Sequence, residues 1–280
     1  MKVLNDIKLL DSMLLDFDKV NELYKPVWFW EEAGSRITNE IKKHKYIEFG
    51  DVRRSYFSSD IDYYLQYKYC SKHLDFDKIK IVVELGSGSG KQVEIIKKEN
   101  PKICFLLFDI PPQLYICEQY LKNVFGDCII GYETSKRLNE LPSKHEGKIF
   151  ILPAFKFPMI ENIEVDLFWN SSSFQEMHID CVSNYLNYVN KSAKYVFLNE
   201  VMQGKKPRDI VYNKITLQDY INFLINFDLL DLSPSWSIEH NYFDDFCNLF
   251  KPYSNYLYKW LIMRKKGNSC SLWKSKLDAI

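Results

Sequence analysis

At 280 residues the chain is long enough for one large domain, or for a core domain with a smaller cap. Hydrophobic residues at 46% and charged residues at 26% are ordinary for a globular protein, and 37 basic against 37 acidic residues leave no excess of positive charge for a nucleic-acid partner. Seven cysteines without a C-x-x-C pair argue against zinc and fit reduced thiols in a cytoplasmic protein, and no apolar run approaches the roughly 18 residues of a membrane span.

Residues 1–77 read as a helical cap. The opening MKVLNDIKLLDSMLLDFDKV is broken by Asp and Lys every few residues, which is not a signal-peptide pattern. Leu4, Ile7, Leu10, Leu14 and Phe17 fall at helical spacing. SRITNEIKKH and SSDIDYYLQYKYCSKHL continue as helices, separated by turn residues near Lys25-Pro26, Gly34 and Gly50-Asp51. Trp28, Phe29 and Trp30 pack in the interior or stack on a sugar face. Arg53 and Arg54 pair at the surface or bind a phosphate tail.

From residue 78 to residue 280 the rhythm becomes alternating strand and helix. KIKIVVELG is a short β-branched apolar run, hence a strand buried on both faces. KQVEIIKKEN is an amphipathic helix stopped at Asn100-Pro101. KICFLLFDI is the second strand, and PPQLYICEQYLKNVFG a helix with proline in its first turn and glycine at its end. KIFILPAF, VDLFWN and KYVFLNEVM supply three further strands, with a mostly helical stretch, SFQEMHIDCVSNYLNYVNKSA, between the last two. YLYKWLIMRK reads as an antiparallel edge strand. The expected fold is therefore α/β, a doubly wound, mostly parallel sheet with helices on both faces.

The first strand runs into a loop with glycines at alternate positions, Gly86, Gly88 and Gly90, preceded by Glu84. Strand before, helix after and Asp109 at the end of the next strand point to a nucleoside-bearing cofactor, its ribose held by the Asp109 carboxylate. The dinucleotide fingerprint G-x-G-x-x-G fails in both registers, its third glycine falling on Lys91 or Val93. A phosphate-binding P-loop fails too, because Leu85 stands where its first glycine belongs and Gln92 where its Ser or Thr belongs.

VVELGSGSG closely resembles motif I of the class I S-adenosylmethionine-dependent methyltransferases. The resemblance implies a Rossmann-like methyltransferase domain over 78–280, with Glu84, Gly86, Ser87, Gly88 and Gly90 along the methionine side of S-adenosylmethionine and Asp109 on its ribose. It implies that Ala154 and Phe155 pack on the adenine, although the acidic residue usual there is missing, and that Asn170 faces the cofactor from the fourth strand. More narrowly, FDIPPQLYICEQYL, ILPAF and FWNSSSFQEMH are similar to a bacterial sugar O-methyltransferase group tied to surface polysaccharide synthesis. That implies an acceptor hydroxyl on a sugar or a glycan intermediate.

An alcohol acceptor must lose a proton, so a base in reach is expected. Glu176 and His178 are the candidate catalytic residues, both in the polar corner FWNSSSFQEMHID. Ser173 with Glu176 three residues on also matches a helix capping box, which needs no catalysis. Gln175 and Glu200, the latter at the end of the fifth strand, are candidate substrate contacts. Glu176, Asp180 and Glu200 would be the ligands of a divalent metal, which the spacing does not call for. Competing expectations are a methyltransferase on another small-molecule acceptor and a catalytically silent cofactor-binding protein. Oligomeric state is not legible in the sequence.

Overall fold

The structure, a computed structural model, describes residues 63, 66–142, 145–204, 214–235 and 268–277. Most of the expected cap, including Trp28, Arg53 and Arg54, lies outside them, as does the expected strand YLYKWLIMRK. Of the cap, residues 66–71 are helical.

Eight strands form one sheet: β1 (Ile81–Leu85), β2 (Cys104–Asp109), β3 (Ile129–Ile130), β4 (Ile149–Pro153), β5 (Val165–Ser171), β6 (Ala193–Glu200), β7 (Phe227–Pro234) and β8 (Ser269–Ser275). Their order across the sheet is β3-β4-β2-β1-β5-β6-β8-β7. The six strands from β3 to β6 in that order are parallel, and β8 runs antiparallel to both β6 and β7. This is the doubly wound, mostly parallel sheet expected. The apolar runs of β1, β2 and β4 are buried along their whole length because helices cover both faces. One core, around Leu107, Trp169 and Phe197, lies on one face, and a second, around Phe157, Phe168 and Leu198, on the other.

The helices are α1 (Lys91–Glu99), α2 (Pro111–Phe125), α3 (Tyr132–Ser135), α4 (Ile179–Ser192) and α5 (Leu217–Phe223). Asn100 caps α1 and Pro111 opens α2 at its first position, both where the sequence signals them. Pro111 also forces Ile110 into an extended backbone, φ −76° and ψ 151°, which ends β2 and leaves that isoleucine side chain 57% exposed.

One local expectation is corrected. Ser173 and Glu176 do not form a capping box: the Phe174–Glu176 turn is 3-10, without a side-chain cap at Ser173, and α4 starts only at Ile179. The Ser173 hydroxyl donates instead to the Leu85 carbonyl at 3.2 Å, and the α4 cap is His178, whose Nδ1 accepts the Asp180 N–H at 3.3 Å. The antiparallel strand beside β6 is made, among the described residues, by Ser269–Ser275, a serine-rich run with little apolar patterning.

The chain steps from β1 to β2, goes out to β3, comes back to β4 between β3 and β2, and then crosses to β5 on the other side of β1. The reversal of strand order therefore falls between β1 and β5. Their carboxyl ends open the crevice where an open α/β sheet binds its ligand.

Candidate functional site

Three glycines leave β1 with positive φ, and they do three different things. Gly86, φ +79°, lies so close to the β5 turn that a Cβ there would overlap Cβ and Oγ of Ser173. Gly90, φ +81°, opens α1 and packs under α2, where a Cβ would stand 2.8 Å from Leu121 and 3.0 Å from the Cys117 sulfur. Gly88, φ +53°, faces open space, with nothing within 4 Å of a built Cβ. The middle glycine is thus held by its backbone conformation and not by packing.

Asp109 at the end of β2 closes on this loop. Its Oδ2 accepts the Gly88 N–H at 2.9 Å and its Oδ1 accepts the Ile110 N–H at 2.7 Å. Burial pushes its carboxyl above the ordinary range, and those two bonds oppose the rise. Glu84 is 4% exposed. Burial pushes it well up and the neighbouring Asp109 charge adds to this, while no cation acts on it. Two carboxyl groups thus meet at the crevice without a positive partner among the described residues. Such an arrangement is costly unless a cationic or hydrogen-bond-donating ligand completes it. Ser87 is buried in the loop beside the Cys117 thiol.

Asn170 is fully buried at the end of β5 and ties the loop to its neighbour rather than reaching outward. Its Nδ2 donates to the Leu85 carbonyl at 2.8 Å and to the Ser173 hydroxyl at 2.6 Å, and its Oδ1 accepts the Phe174 N–H at 3.3 Å. Glu200, also fully buried, accepts the N–H groups of Phe174 at 3.3 Å and Gln175 at 3.2 Å, and the Gln175 side-chain oxygen accepts the Val201 N–H at 3.3 Å. Gln175 and Glu200 thus bind the β5 turn to the end of β6. Glu176 and His178 stand at the exposed rim beyond that turn. The His178 Nδ1 that meets the Asp180 N–H also lies 3.3 Å from the Asp180 carboxylate. Asp180 is exposed in the first turn of α4, so Glu176, Asp180 and Glu200 are not gathered. Among the described residues no group of three His, Cys, Asp or Glu could hold a metal ion.

Ala154 and Phe155 follow the end of β4, beside Asp109, which pairs in register with Pro153. Phe155 is 72% exposed. Ile110, next to Asp109 in the chain, is a second exposed apolar residue at these strand ends. Ile110 was not singled out in the sequence; its signal was its place between a strand-ending acid and a helix-opening proline.

No family model matches the chain, and no curated protein matches it. Solved structures do. A candidate sarcosine dimethylglycine methyltransferase from Galdieria sulphuraria has a TM-score of 0.52 at 12% identity, over 82% of this chain and 91% of that one. The O-methyltransferase of the trans-AT PKS multienzyme of Brevibacillus brevis, in complex with S-adenosyl-L-homocysteine, has a TM-score of 0.50 at 14% identity, over 84% of this chain and 78% of that one. At such identities the likeness is one of fold: the sheet has the Rossmann-like methyltransferase architecture.

Proposed function

We propose that the chain transfers a methyl group from S-adenosylmethionine to a hydroxyl of a sugar or sugar-containing intermediate. The observation that carries the cofactor is the pair of buried carboxyl groups, Glu84 and Asp109, beside a glycine loop whose middle residue faces open space. A ligand with an ammonium group and a ribose diol complements that pair, whereas a phosphate would bring a further anion to buried carboxyl groups that have no cationic partner among the described residues. The Brevibacillus brevis structure of the same fold, in complex with S-adenosyl-L-homocysteine, supports this reading.

In this reading Glu84 and the loop backbone hold the aminoacyl end, Asp109 takes the ribose hydroxyls, and Ile110 with Ala154 and Phe155 receives the adenine. S-adenosylmethionine supplies, when bound, a methyl group on a cationic sulfur, open to displacement in line. The protein's share is to orient the acceptor oxygen and take its proton. We assign that proton to Glu176, an exposed carboxylate at the rim, in preference to His178, whose Nδ1 is taken up at the start of α4 by the Asp180 N–H and carboxylate. Gln175 and Glu200 shape the turn that carries Glu176. The sugar acceptor rests on the likeness of FDIPPQLYICEQYL, ILPAF and FWNSSSFQEMH to the sugar O-methyltransferase group.

The test is transfer of labelled methyl to a panel of free and nucleotide-linked sugars beside phenols, amines and carboxylates. Label on sugar hydroxyls, reduced about 100-fold or more in Glu176→Gln and retained in His178→Asn, is expected. Label on phenols or amines alone would move the acceptor class, and cofactor binding without any transfer would favour the silent protein.

A further inference from the structure

We propose that Glu200 is a positioning residue for the glycine loop, acting through the Ser172–Gln175 turn without touching the ligand. This rests on the reading of that loop as the S-adenosylmethionine site.

The connection can be followed bond by bond. The two Glu200 carboxylate oxygens each accept one amide of the turn, from Phe174 and Gln175. Gln175 returns its side-chain oxygen to the Val201 N–H, a second strap between the turn and the end of β6. Inside the turn, Ser173 donates to the Leu85 carbonyl at 3.2 Å, and its Cβ and Oγ fill the space where a side chain on Gly86 would sit. The turn is therefore the floor on which the glycine loop rests.

The turn also needs holding. Ser172 has φ +66°, a left-handed conformation disfavoured for a residue with a Cβ. It is pinned by its N–H to the Asn199 carbonyl at 2.9 Å and by the Asn268 amide to its Oγ at 2.5 Å. Backbone strain at the end of β5 and a fully buried carboxyl at the end of β6 meet in one turn. Among the described residues no cation acts on that carboxyl, and the charged and titratable groups facing it are Glu176 on the turn and Tyr220 on α5.

Burial pushes Glu200 up to about 8; the amides of Gln175, Phe174 and Ser172 pull it down and the Glu176 charge adds to the rise. The ionised form accepts on both oxygens, while the protonated form turns one of them into a donor facing an N–H. Because burial outweighs those bonds, opening the turn, which returns the carboxyl to water, becomes easier as pH rises through that value.

The experiment is calorimetric binding of S-adenosylhomocysteine to the wild type, Glu200→Gln and Ser173→Ala between about pH 7 and 9, with amide hydrogen exchange on the ligand-free proteins. Expected are an opening of 171–177 that, corrected for intrinsic exchange, becomes easier as pH rises through about 8 in the wild type and not in Glu200→Gln, a loss of affinity of about 5-fold or more in Glu200→Gln, and faster exchange there in both 171–177 and 85–91. Ser173→Ala should speed exchange in 85–91 and keep the pH dependence. Wild-type affinity and pH profile in Glu200→Gln, or faster exchange confined to 171–177, would overturn the proposal. If the wild type binds no S-adenosylhomocysteine, the cofactor reading fails and exchange alone decides Glu200: acceleration in both segments upholds its role, and anything less refutes it. Should Glu200→Gln not fold, unchanged exchange of 85–91 in Ser173→Ala refutes it.

Discussion

Single residues divide the glycine loop into parts that stability and binding measurements can separate. Gly86→Ala forces a Cβ into Ser173 at positive φ, so it should cost about 3 kcal/mol or more of unfolding free energy and abolish ligand binding. Gly88→Ala meets no atom, so only its left-handed backbone opposes it, at about 1–2 kcal/mol, yet binding should fall at least as far. Denaturant midpoints beside binding isotherms distinguish the two. The carboxyl pair gives a pH prediction. With Glu84 and Asp109 both raised by burial, the folded protein holds more protons than the unfolded chain from the ordinary carboxylate range up to those raised values. The pair's contribution to stability is present at low pH and declines as pH rises. A bound ammonium reverses this by favouring the carboxylates, so binding should release protons and tighten with rising pH. Calorimetry in buffers of different ionisation enthalpy reads the proton count, and Glu84→Gln should lower it. These residues were legible because glycine and acid spacing states a backbone requirement directly. Asn170, Gln175 and Glu200 were legible as polar groups at strand ends but not as partners of one another, since their bonds join positions up to 85 residues apart.

At the scale of elements, the long apolar strands and the helices with proline or asparagine punctuation were readable because each carries its own burial signal. The two-residue β3 is too short to carry a pattern, and β8 hides behind serines whose hydroxyls find partners only in the assembled sheet, as Ser271 does with the Leu198 carbonyl. The start of α4 was misplaced because Ser-x-x-Glu is a cap signature only if a helix follows at once. Here Ser173 is drawn to Leu85, and the helix waits for His178. Helix-to-strand joints away from the crevice should affect stability alone. Asn190 near the end of α4 donates to the Phe223 carbonyl at 2.7 Å, and its side-chain and backbone oxygens accept the Asn226 N–H and side-chain amide, each at 3.2 Å. Asn190→Ala removes the two side-chain bonds and leaves the part-buried Phe223 carbonyl and Asn226 N–H without them, which should cost about 1–2 kcal/mol in chemical denaturation while leaving S-adenosylhomocysteine affinity unchanged. A matching loss of affinity would mean that the two ends of the sheet are coupled.

The whole molecule joins a reversal of strand order, an open glycine loop and a buried acidic pair at one crevice, and the central claim is that the crevice holds S-adenosylmethionine. Fold likeness alone does not decide this, because one architecture serves several ligands. The acceptor side was the least legible part, since acceptor recognition depends on how distant segments meet rather than on a local motif. The most direct measurement is thermal unfolding with S-adenosylhomocysteine, with NAD as the control. At about 100-fold its dissociation constant a ligand adds roughly 2.7 kcal/mol. For a chain of this size that should raise the midpoint by about 5–10 °C. The account predicts that rise with S-adenosylhomocysteine and none with NAD; a rise with NAD alone, or with neither, would contradict it.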